Sequence, residues 1–138
     1  MDNWVAHCIM TTLLAGSAGV IGAGAAIWRK TGAMDVGMAG NGALAGLVSI
    51  TAGTGTMSFS GAVAVGFIGG VIVVYSVLFI ERRRIRDPVG AVSSHGECRA
   101  WGPLAIGLFA RYDDAFLGRE DAGLFYGGGF DQLLVQAI

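Results

Sequence analysis

The sequence predicts an all-α, polytopic transmembrane helix bundle with about four full spanning helices and the start of a fifth. Three observations carry this. Apolar residues make up 54% of the 138, against 14% charged, and mean hydropathy is +0.63; a soluble domain carries about a quarter charged residues. The few charges cluster in short connecting runs and leave long stretches bare. Finally, 24 glycines stand in this apolar chain, a composition suited to close helix packing in lipid, where hydrophobicity does not drive helices together.

The first span is expected from about Ile9 to Trp28, closing on Arg29 and Lys30. A second runs from about Val36 to Met57. The third, Gly61 to Ile80, is free of charge and ends in Glu81, Arg82, Arg83, Arg84 and Arg86. The fourth covers about Val89 to Ala110, and a final element begins near Gly123. Twenty helical residues reach about 30 Å, the thickness of the hydrocarbon core. The basic runs at residues 29–35 and 81–87 fall on one side of an up-down chain. The connection from Arg111 to Asp121 carries two arginines against four acids. The excess of Lys and Arg in cytoplasmic loops therefore puts both basic loops inside and the N-terminus outside.

Gly42 with Gly46, and Gly66 with Gly70, form small-xxx-small pairs that suit close helix packing. Gly22 to Ala25 is read as membrane helix, since no strand precedes it as a dinucleotide site requires. The glycines at 127–129 lack the Lys-Ser/Thr of a phosphate loop and are read as a flexible approach to the last helix. A net charge of −1 gives no footing for a nucleic-acid partner. The opening of the chain lacks the basic n-region of a cleavable signal peptide. Cys8 and Cys98 make no disulfide framework. Cys98 follows His95 by three residues, but without a further ligand nearby a packed thiol is the better reading, and no metal or other cofactor is expected.

His95 is the residue that calls for explanation. An ionisable side chain within a spanning segment is costly and usually lines a cavity or a conduction path. In dry surroundings the imidazolium form is disfavoured, and the neutral ring offers one donor and one acceptor. On chemistry alone the residue is open between a pore or relay role and a hydrogen bond to a neighbouring helix.

Four segments in order resemble the ammonium transporter and ammonia channel family: NGALAGLVSITAG (41–53), the basic run leading into Arg86-Asp87-Pro88-Val89-Gly90, His95-Gly96 with Cys98 and Trp101-Gly102, and GLFYGGGFDQLLVQ (123–136). The resemblance covers about Thr11 to Gln136. It implies transmembrane transport of ammonium or ammonia in the plasma membrane, a channel-type protein rather than an enzyme. It also implies two inverted halves of an eleven-helix fold, a homotrimeric parent, and His95 as one of two pore-lining histidines. The partner histidine, the phenylalanine gate and the outer recruitment site belong to a first half that has no counterpart here. His7 is no substitute, because it sits at the outer end of the first span. The chain also stops at Ile138 within an apolar run, so it is expected to be a later part of such a protein.

Asp87 and Pro88 match the family's Asp-Pro opening the histidine-bearing helix, where proline is tolerated and aspartate caps. They and Gly96 are assigned structural roles beside the pore. Asn41 is expected to cap or bend the second helix, and Thr51, Thr54 and Thr56 to bond across helices. Where the family reads Val-His-Gly-Val-Cys-Gly, this chain reads Ser94-His95-Gly96-Glu97-Cys98-Arg99. Each added charge costs about 2.5–3.5 kcal/mol if left unpaired in mid-membrane. Two residues apart, Glu97 and Arg99 point to different faces. The alternative to a conducting piece is therefore a non-conducting membrane subunit or remnant that associates with full-length transporters. A membrane enzyme using His95, Glu97 and Asp87 would lack a nucleophile constellation.

Overall fold

In the computed structural model, residues 2–84, 93–111, 123–127, 130 and 134 are described. Among them the fold is all-helical. Helix α1 is Asp2–Thr31, α2 is Val36–Ile50, α3 is Phe59–Arg82 and α4 is Cys98–Phe109. A π-helical turn, Ser93–Glu97, leads into α4, and a 3-10 turn, Leu124–Tyr126, follows it in the chain. Residues 85–92, which include Asp87 and Pro88, lie outside the described residues, as do 112–122.

The helices differ in length from the spans drawn on hydropathy. α1 has 30 residues and α3 has 24, about 45 and 36 Å, and both are long and apolar enough to cross a membrane. α2 stops after 15 residues, about 22 Å, instead of running to Met57. Apolarity alone hid this end. Beyond Ile50, glycine and threonine fold the chain into successive turns, with Gly53 N–H donating to Ile50 O at 2.8 Å and Met57 N–H to Gly53 O at 3.0 Å.

Local capping explains where α2 and α3 begin. Asp35 is extended and its carboxylate accepts from Met38 N–H at 2.7 Å. Ser58 does the same for α3, accepting from Gly61 N–H at 3.1 Å. Asn41, expected to cap or bend α2, sits inside the helix and is not its cap. The α1–α2 connection closes on Gly32, whose φ of 75° suits a residue without a side chain.

α1 is the centre of the bundle. Ala15, Gly19 and Ala23 recur every four residues and form one column along it. α2 sets Gly46 against Ala15, and Gly42 against Gly19 and Ala23. α3 sets Gly66 against Ala15 and Gly70 against Gly19. The order of these contacts makes α2 antiparallel and α3 parallel to α1. A Cβ on Gly46 or Gly66 would overlap the Ala15 carbonyl, and one on Gly70 the Gly19 carbonyl. The two glycine pairs legible in the sequence thus grip the same column from two sides.

Two apolar clusters flank this contact. Ala23, Ile27, Ala45, Val73, Val74 and Val77 fill one end. Ala15, Ile50, Met57, Ala62, Val65 and Ala105 fill the other. The α2–α3 connection is tied to the start of α1: Thr11 Oγ1 donates to Thr54 O at 2.9 Å, and His7 Nε2 lies 2.9 Å from Met57 O. The cross-element bond at Thr54 therefore uses its carbonyl. The Thr51 and Thr56 hydroxyls bond locally, to Leu47 O and Gly53 O.

Replacing Gly66 by valine should unfold or splay the bundle, at a cost of about 3 kcal/mol or more, because overpacking here meets backbone. Gly40→Ala is the control: it is exposed on α2 with nothing near its missing Cβ, and should stabilise by about 0.5–1 kcal/mol. Thermal unfolding in detergent micelles followed by circular dichroism separates the two.

Candidate conduction site

α4 is held against α3 by two side chains that donate to backbone. Cys98, fully buried, points its thiol at Gly69 O, 3.7 Å away. Trp101 Nε1–H donates to Val65 O at 3.3 Å. In a helix, carbonyls are already engaged by the i+4 amide, but a second lone pair remains for such contacts. The order of partners, 98 with 69 and 101 with 65, makes α4 antiparallel to α3. α4 also lies close to α2, where a Cβ on Gly102 would come within 3.0 Å of Ser49 O, and α3 reaches the same serine, where a Cβ on Gly69 would strike Ser49 Oγ. Ser49 itself is fully buried and returns its hydroxyl to Ala45 O at 2.7 Å.

With Cys98 and Trp101 turned inward, the other side of α4 is left to line a cleft. His95, Arg99, Gly102 and Pro103 form one wall, and Val48, Thr51 and Ala52 at the end of α2 form the other. The cleft holds about 480 Å³. His95 is exposed within this chain, and its π-helical turn adds a residue to the local repeat. Such turns are often found at functional sites. Pro103 sits inside α4, five residues past the end of that turn's Cys98 junction.

The structure answers several expectations drawn from the residues. Arg99 is exposed and shares the cleft with His95, so a fixed cation stands one turn from the histidine. The side chain of Glu97 lies outside the described residues. Gly96 is exposed, with no neighbour that a Cβ would meet. His7 does not line this cleft. Its ring lies 4.9 Å from that of Phe59 and against Met57 O, at the start of α1. Among the described residues no group of three His, Cys, Asp or Glu side chains is arranged to hold a metal.

Sequence reasoning missed Thr51, Ala52 and Pro103 as cleft residues, since nothing in their types marks them. It also missed the stitch between the α2–α3 connection and the end of α4. Met57 and Ala110 form an antiparallel bridge, Arg111 N–H donates to Thr56 O at 2.7 Å, and Gly123 N–H donates to Ala110 O at 2.9 Å. Phe109 stacks on Phe125 at 5.1 Å. Gly127 ends the 3-10 turn with φ 91°, a conformation that favours glycine.

A sequence model described as the Ammonium Transporter Family matches residues 2–138. The chain belongs to the ammonium transporter family. Ammonium transporter Amt2 of Archaeoglobus fulgidus is 40% identical over 132 residues, which cover 92% of this chain and 28% of that protein. Ammonium transporter 1 member 1 of Oryza sativa subsp. japonica is 32% identical over 137 residues, covering 97% and 28%. Among solved structures, the N240A mutant of Candida albicans Mep2 superposes with a TM-score of 0.82 at 26% identity, covering 94% of this chain and 29% of that one. A Sensor Amt Protein superposes with a TM-score of 0.77 at 28% identity, covering 96% and 33%. The chain thus spans about three-tenths of the length of these relatives. Membership of this family, with its two long apolar helices, makes it a membrane protein of a transporter family rather than of an enzyme family.

The opposed faces of α4 yield a direct check. In a Cys8→Ser background, the buried Cys98 should resist a polar thiol reagent, while His95→Cys in a Cys8→Ser, Cys98→Ala background should label at least tenfold faster, as thiolate access governs the rate. Mass spectrometry of the labelled chain reads both.

Proposed function

We propose that this chain forms part of a channel-type ammonium/ammonia transporter and that His95 lines its conduction path. The observation that carries the reading is the cleft itself. The one histidine of the α4 segment sits on a wall built by α4 and the end of α2, while the opposite face of α4 is occupied by anchoring bonds. A neutral imidazole there can donate to or accept from ammonia, which does both, and the apolar residues beside it disfavour a charged passenger. Asp87, Pro88 and Gly96 keep the structural roles assigned to them. The cleft is open-sided in this chain, so a closed path needs a second wall. In this reading that wall comes from the larger part of a full-length transporter, assembled as a homotrimer in the plasma membrane.

The parallel arrangement of α1 and α3 brings Lys30 and Arg82 to one end of the bundle. We assign that end, with the loops at 29–35 and 81–87, to the cytoplasm and the N-terminus to the outside. A second reading rests on Arg99. A guanidinium on the wall that carries His95 opposes any cation entering the cleft, which suits a non-conducting subunit that packs beside full-length transporters.

A chimera separates the two. This chain replaces the matching segment of Archaeoglobus fulgidus Amt2, and methylammonium uptake is measured in transporter-deficient cells. The conduction reading expects uptake that His95→Ala lowers at least tenfold and that Arg99→Gly raises. Uptake indifferent to His95→Ala would sink the pore assignment. Absence of uptake even with Arg99→Gly, together with co-purification of the 138-residue chain with intact Amt2, would establish the subunit reading instead. The chain expressed alone should give no saturable uptake.

A further inference from the structure

Arg99 stands at a depth where lipid gives a cation no solvation. Its neighbour Cys98 is level with Gly69 of α3, through the thiol contact to Gly69 O, and Trp101 is level with Val65. Gly69 comes ten residues after Phe59 and thirteen before Arg82, about 15 and 20 Å along the helix. The hydrocarbon core is about 30 Å thick. With α3 spanning it, the α4 backbone at Arg99 lies close to the bilayer centre. Long basic side chains reach the headgroups only from near helix ends, so the stem of Arg99 cannot carry its charge to water on either side.

Arg99 is exposed in this chain and lies on the wall of the His95 cleft. It makes no ion pair among the described residues. None of the other residues lining the cleft is acidic. Across from it, Thr51 gives its hydroxyl proton to Leu47 O, and the oxygen that remains is a neutral acceptor that balances no charge. Asp35 and Glu81 are the acids whose side chains are described, and both stand at the basic end of the bundle. Glu81 is twelve residues from Gly69, about 18 Å along α3. Charged side chains inside a membrane are kept where they pair with one another or face a bundle interior. A guanidinium is a planar fork that fits a carboxylate through two parallel bonds.

On the reading given above, in which another membrane segment supplies the second wall of the cleft, we propose that this segment is a helix carrying a carboxylate at mid-membrane, and that the carboxylate pairs with Arg99. Charge complementarity selects the occupant, and depth restricts it. A free carboxylate would have to shed its water to reach the bilayer centre, whereas a side chain on a spanning helix is delivered there by its backbone. The pair would also cancel the charge on the wall that carries His95.

Probe helices of leucine and alanine, each spanning the bilayer once with a single central Glu, Gln or Lys, test this. They are reconstituted with the labelled whole chain in phosphatidylcholine vesicles at neutral pH, and association is read by energy transfer. The Glu probe should bind at least tenfold tighter than the Gln probe, and the Lys probe weakest. Arg99→Met should reduce the preference for Glu over Gln to less than twofold, while Arg99→Lys should keep most of it. Moving the Glu two turns toward either end of the probe, about 11 Å, should abolish it, a comparison that needs only the parent chain. Circular dichroism checks that each variant folds. Equal binding of the Glu and Gln probes by the parent chain overturns the proposal. So does a preference that survives Arg99→Met, which would assign it to another group, or one that survives the shift, which would place Arg99 away from mid-membrane. Displacement of the Glu probe by acetate at equal concentration would make the cleft a site for free carboxylates and overturn it as well. No ammonium enters this assay, so its failure leaves the His95 uptake test standing, and a chimera without uptake leaves the probe preference to be decided by itself.

Discussion

Everything in this bundle depends on how closely three backbones approach along one column of α1. In lipid, apolar side chains gain little by leaving their surroundings, so helices associate through dispersion contact and shape. Dispersion falls off over fractions of an ångström. Small residues on facing helices are therefore the means by which contact is made at all. Ala15 and Gly19 present backbone to α2 on one side and α3 on the other, and Ala23 sets only its methyl against Gly42. Because both neighbours use glycine pairs at the same spacing, α1 is gripped as a central post, and the directions of α2 and α3 follow from the order of those contacts.

The position of α4 is the second consequence. It packs on the pair α2–α3, and Ser49 on α2 lies between Gly69 and Gly102. That three-way approach lets Cys98 and Trp101 reach carbonyls on α3. Once those two side chains are committed inward, the helix is fixed in rotation, and His95, Arg99 and Pro103 are turned to the cleft by geometry. A thiol and an indole that could have been mistaken for chemistry are anchors. They decide which side of α4 faces the cleft.

The same rotation exposes the departure of this chain from its family. Arg99 stands on the cleft wall with His95, and not on the packed side, where it would have to be neutralised by a partner. At the other end of the bundle the cations serve differently. Lys30 and Arg82 close helices whose carbonyl ends favour positive charge, and their long stems lie along apolar surface while their heads reach its edge. The outer side of α3 carries Val63, Phe67, Tyr75 and Phe79, each 40–55% exposed, at spacings that keep them on one face. This is a surface for lipid or for protein, rimmed by charge at one end.

Hydropathy, glycine spacing and the placement of basic runs were legible in the sequence because each is a local property. They determined an all-helical membrane protein, the existence of its helices, the packing faces of α2 and α3, and the histidine worth attention, while the family was legible only through the resemblance of four motifs in order. The tertiary structure alone decided where α2 ends, since the turns after Ile50 are held by His7 and Thr11 from a distant part of the chain. It decided that Asp35 and not Asn41 caps α2, because capping depends on which residue is left extended. It also decided which side of α4 faces the cleft. A side chain's type limits the bonds it can make, but its partner is set by another helix, and that information is spread over residues far apart in sequence.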